Sequence, residues 1–134
     1  MKTKLLVALL LLPSIGFAKP TSLQNAACMR LDSAVFFALS QYNRAYHGLI
    51  SVDSADQSVA SQDSFIYSPY IFKEIHINSL SELIEITTRA GEQIFTKKLK
   101  PAGFSKYQDK IKSNCLTMSP VSAETTSHNH DYSK

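Results

Sequence analysis

Two cysteines constrain this chain more than any other feature. Cys28 and Cys115 are the only ones present, and they stand near opposite ends of it. Each falls on the apolar face of a segment with helical spacing. In the first, Cys28, Leu31, Val35, Leu39, Tyr42 and Tyr46 lie within about 60° of one line at ~100° per residue. In the second, Phe104, Tyr107, Ile111 and Cys115 follow at spacings of 3, 4 and 4. Two thiols presented from buried faces suit a structural bridge, and only one intramolecular pairing exists. Closing so long a loop removes on the order of 4 kcal/mol of unfolded-chain freedom. No Cys-x-x-Cys is present to support redox chemistry.

An oxidising compartment is indicated by residues 1–18, which read as a secretory signal peptide. Lys2 and Lys4 form a basic start, residues 5–12 an unbroken apolar run, and Gly16-Phe17-Ala18 a small-residue cleavage site. The apolar stretch falls short of the ~20 residues a spanning helix needs, so no transmembrane segment is expected after signal removal. The expected destination is the periplasm or the medium. Residues 19–119 then read as a single domain, long enough for a modest core. Residues 120–134 are polar and aperiodic, and read as a disordered tail. The chain also lacks an Asn-x-Ser/Thr sequon, which fits a bacterial source.

The expected fold class is α+β, with a long N-terminal helix packed on a small antiparallel sheet and a short C-terminal helix. Thr21 and Gln24 form the Thr-x-x-Gln version of a capping box for a helix over 22–47, and Gly48 is a natural stop. Residues 51–64, rich in serine and aspartate, read as a loop with a short edge strand at 57–60. Residues 65–67 and 70–77 read as strand broken at Ser68-Pro69. Residues 82–88 and 93–99 read as a hairpin turning at Arg89-Ala90-Gly91-Glu92. A helix over this last region is the rival, because Ser79-x-x-Glu82 is a capping box and Leu80, Leu83, Ile84, Ala90, Ile94 and Phe95 nearly fit a helical stripe. Ile86-Thr87-Thr88 and Gly91 tilt the reading toward strands.

Charge is uneven along the chain. The formal net charge of +3 drops to +1 once Lys2 and Lys4 are removed. Residues 97–112 nevertheless hold six lysines against Asp109 alone. Lys97, Lys98, Lys100, Lys106 and Lys110 are therefore candidate contacts for an anionic surface such as lipid head groups, or for an acidic protein. Arginine's bidentate phosphate grip and an aromatic stacking platform are both missing from this patch, which argues against nucleic acid. Phe37 lies opposite the first apolar stripe, near Arg30, Gln41 and Arg44. Phe37 and Arg44 are candidate partner contacts, since aromatic and arginine side chains anchor interfaces.

Catalytic signatures are scarce. Four glycines cannot build phosphate-cradling loops, and neither His-Glu-x-x-His nor Gly-x-Ser-x-Gly occurs. No cofactor is expected. Glu74 and His76 would share a strand face, giving a small secreted hydrolase as one alternative. His128, His130 and Asp131 are metal-capable, but a polar tail would have to order itself to bring them together, and no metal site is expected.

The segment Ala34-Val35-Phe36-Phe37-Ala38-Leu39-Ser40-Gln41-Tyr42-Asn43 resembles the helix of cystatins. Gln57-Ser58-Val59-Ala60-Ser61 is similar to their Gln-x-Val-x-Gly inhibitory loop. The resemblance implies a projecting loop at 57–61 and inhibition of cysteine proteases as a second alternative. Ser61 stands where that loop has glycine, and no tryptophan is present for the later Pro-Trp loop. The leading expectation is a small exported bacterial binding protein that works through its basic C-terminal segment.

Overall fold

A computed structural model describes residues 19–118. The expected signal peptide at 1–18 and the expected disordered tail at 120–134 lie outside the described residues. α1, Ser22–Tyr46, begins where the Thr21 side chain accepts a hydrogen bond from the Gln24 N–H at 3.0 Å. It ends in a Schellman arrangement: Gly48, at φ +76, donates to the Ala45 carbonyl, and Leu49 donates to the Arg44 carbonyl. The predicted stripe is buried from Cys28 to Tyr42, and Ala27, Ala34 and Ala38 widen it. Gln24 does not reach back to its own cap as the capping box implies. It is fully buried, and its Nε2 donates to the Cys115 carbonyl at 3.1 Å and the Met118 carbonyl at 2.8 Å.

The predicted sheet is not formed. Among the described residues there are five α-helices and no strand, which corrects the α+β expectation. Residues 51–64 are not a loop with an edge strand. They enter α2, Val52–Ile66, capped by the Ser51 side chain on the Ser54 N–H. Its buried face is only Ala55, Val59 and Asp63, one residue per turn. Such a narrow stripe of small and polar side chains carries little hydrophobic signal, yet it lets α2 lie close to α1.

Residues 65–77 are likewise not strand. Pro69 occupies the first turn of a short helix, α3, Pro69–Phe72, followed by a 3-10 turn, Lys73–Ile75. Phe72 is completely buried and stacks on Tyr67 at 5.3 Å between ring centroids.

The hairpin expected over 82–99 is α4, Leu80–Thr96. The rival capping box decides the outcome. Ser79 Oγ accepts from the Glu82 N–H at 3.1 Å, and Glu82 Oε1 accepts from the Asn78 N–H at 2.7 Å. The buried face is Leu83, Thr87, Ala90, Gly91 and Ile94, a strictly helical spacing. Gly91 is not a turn glycine. A Cβ placed there would fall inside the Tyr42 ring, so its absence lets α1 and α4 approach each other. Thr87 is tolerated because its hydroxyl is shared among the Leu83 and Ile84 carbonyls and Asp63 Oδ2, the last at 2.6 Å.

A 3-10 turn, Pro101–Gly103, leads into α5, Phe104–Thr117, which confirms the predicted second helix. Cys28 and Cys115 are bonded, with Cα atoms 5.8 Å apart and both side chains buried.

α1 is the central helix and packs on α2, α4 and α5. Tyr42 meets Gly91 and Tyr46 meets Phe95, so α1 and α4 run parallel. Tyr42 hydrogen-bonds Asp56 while Arg30 reaches the Ile66 carbonyl, so α2 runs antiparallel to α1. Cys28–Cys115 and Asp32–Gln108 make α5 antiparallel too. The C-termini of α1 and α4 therefore emerge at one end of the bundle, from which the chain turns back along α1 into α5.

Candidate functional site

That shared end is basic. Arg44 sits in the last turn of α1, and Lys97 caps α4. Lys98 follows in the left-handed region at φ 56, which turns the chain so that the Leu99 N–H donates to the Gln93 carbonyl at 3.1 Å. Lys100 precedes the 3-10 turn, and Lys106 and Lys110 stand one turn apart on α5. Cations at helix C-termini are favoured by the carbonyl ends of the helices, which accounts locally for Arg44 and Lys97. All six side chains are exposed, and among the described residues none forms an ion pair.

The lysines surround apolar surface. Leu99, Gly103, Lys106, Tyr107, Asp109 and Lys110 line an open groove of about 570 Å³. Leu99 also lines a smaller hollow of about 250 Å³ with Tyr46, Ile94, Lys98 and Lys100. Leu99 is thus the shared wall between two pairs of lysines. Burial raises the Tyr107 hydroxyl's pKa above the usual tyrosine range, in keeping with an apolar setting. The helical spacing of the sequence sets Lys106 and Lys110 on the face of α5 away from its apolar stripe. In the structure they border it at Tyr107, and the spacing of Gly103, Lys106, Tyr107 and Lys110 already carries that signal.

Phe37 lines neither of these hollows. It is half-buried against the core, two turns of helix before Arg44. The exposed aromatic on that part of α1 is its neighbour Phe36, at 55%. The strand expected to carry Glu74 and His76 is not formed. Glu74 is buried in the 3-10 turn, whereas His76 is exposed in the left-handed conformation that ends it. Residues 57–61 lie inside α2 and form no projecting loop of the cystatin kind. The His128, His130 and Asp131 cluster lies outside the described residues.

A second surface was missed because residue 65 was read as strand. Met29, Arg30, Ser33, Gln62, Phe65 and Ile66 line a groove of about 500 Å³ between α1 and α2, where Phe65 is 85% exposed. The Arg30 guanidinium there donates to the Ile66 carbonyl at 3.1 Å. Among the described residues, no helix is long and apolar enough to cross a membrane. No protein-family model, no characterised protein and no solved structure matches this chain.

Proposed function

We propose that this chain is an exported bacterial binding protein that docks on an anionic surface, such as lipid head groups, through the basic end of its bundle. One observation carries the reading. Lys98, Lys100, Lys106 and Lys110 border the two hollows that share Leu99, Lys97 directly precedes them in the chain, and among the described residues none of the five forms an ion pair. Each cation near an anionic bilayer contributes about 1 kcal/mol, an attraction that fades within a Debye length. The Cys28–Cys115 bridge and the leader-like residues 1–18 support a place outside the cytoplasm.

Co-sedimentation with phosphatidylcholine vesicles, with and without phosphatidylglycerol, tests this. Binding is expected only to the anionic vesicles and should weaken as salt is added. Replacing Lys106 and Lys110 together with glutamate should lower it by at least roughly tenfold. Binding indifferent to salt, or unchanged in the double variant, overturns the proposal.

A further inference from the structure

The basic end is more than a charged face, because its lysines frame an apolar groove. Leu99 and Tyr107 are half-buried walls, and Gly103 leaves the space between them open. A Cβ on Gly103 would come within 3.1 Å of Leu99 Cδ1, a contact that a small shift of that side chain relieves, so a larger residue there would extend into the groove. Lys106 and Lys110 stand at the rim with Asp109. Apolar walls call for an apolar ligand segment, and two unpaired cations against one carboxylate call for a net negative head. The groove's volume of about 570 Å³ falls within the roughly 300–1,000 Å³ usual for small-ligand sites. The Met29–Phe65 groove has one cation in its lining, Arg30, where the Leu99–Tyr107 groove has two.

We infer that the groove between Leu99 and Tyr107 binds a free long-chain carboxylate, its alkyl chain over Gly103 and its head between Lys106 and Lys110. This rests on the anionic-surface reading of the same end, and it narrows that reading to a single-chain ligand. Each methylene buried is worth roughly fourfold in affinity when fully covered, so chain length should matter.

Calorimetric titration of the disulfide-bonded protein with decanoate, butyrate and decyltrimethylammonium provides the test. Decanoate should bind more than roughly tenfold tighter than butyrate, and the cationic amphiphile should not compete. Gly103→Leu, at an ordinary backbone angle, should plug the groove. It should cost decanoate at least roughly tenfold in affinity. A thermal melt verifies that the variant folds, and the chain-length comparison on the wild type stands without it. Equal binding of decanoate and butyrate, or of decanoate and decyltrimethylammonium, overturns the inference. Unchanged decanoate binding in a folded Gly103→Leu protein does the same. If vesicle binding persists in those cases, the surface reading survives; if decanoate binds and vesicles do not, the surface reading fails alone.

Discussion

Single residues set the packing of this bundle, and Gly91 shows it best. Alanine is normally the better helix residue by about 1 kcal/mol. Here its methyl group would enter the ring of Tyr42, which is buried and holds Asp56 through its hydroxyl. Burial and that hydrogen bond keep the hydroxyl protonated well above the ordinary tyrosine range. Gly91→Ala should therefore lose roughly 1–3 kcal/mol in urea denaturation, as overpacked cores do; a gain would show that α1 and α4 have slack. Asp63 yields a second prediction. It is fully buried, and burial lifts its carboxyl to a pKa of about 6 despite the Thr87 hydrogen bond that opposes the shift. Because the folded value exceeds the unfolded one, near 3.9, the unfolded chain gives up its proton first. Stability then falls as pH rises from about 4 to 6, by roughly 3 kcal/mol, and levels off above. Asp63→Asn cannot ionise and should flatten that slope. If wild type and variant keep the same difference in unfolding free energy from pH 4 to pH 7, Asp63 is not holding its proton. Neither residue was legible in advance: Gly91 resembles a turn glycine until Tyr42 is known to lie across it, and Asp63 resembles a loop aspartate until Thr87 meets it.

At the scale of elements, the sequence reveals those helices whose apolar faces are broad. α1 and α5 could be read from their stripes, and the bridge followed from the position of a cysteine on each. α2 could not, because Ala55, Val59 and Asp63 are too small or too polar to register as a stripe, and its stability comes from packing on α1. α4 was read as a hairpin because Ile86, Thr87 and Thr88 favour strands in isolation. The Ser79 cap and the burial of one helical face outweigh that local preference. The ends of elements are testable as well. Gly48→Ala should destabilise by about 1 kcal/mol, since a Cβ is strained at φ +76 and no neighbour lies within 4 Å to offer compensation. The disulfide anchors α5 more strongly. Reducing Cys28–Cys115 should lower stability by up to about 4 kcal/mol. Much of the helical circular dichroism should remain at low temperature, because Gln24 still holds the Cys115 and Met118 carbonyls. Complete loss of helicity on reduction would mean that the bridge, rather than the core, defines the fold.

Over the whole molecule, topology turns a scattered charge pattern into a surface. Parallel packing of α1 and α4 brings Arg44 and Lys97 to one end, and the turn into α5 adds Lys100, Lys106 and Lys110. The run of lysines was visible in the sequence, but the groove between them was not, because it needs Leu99 from one segment to face Tyr107 from another. Phe37, a candidate partner contact by its position opposite the apolar stripe, packs in part against the core. Among the described residues, a surface with several lysines around Leu99 is thus separate from a groove around Met29 and Phe65 that carries Arg30 alone. Binding is proposed at the first of these surfaces. The most direct measurement is an amide chemical-shift map of the isotope-labelled protein as phosphatidylglycerol-containing bicelles are added at low salt. Shifts and broadening centred on Lys97 to Lys110, and reversed by added salt, are the predicted result. Perturbations centred on Met29, Phe36 and Phe65, with residues 97–110 unmoved, would contradict it.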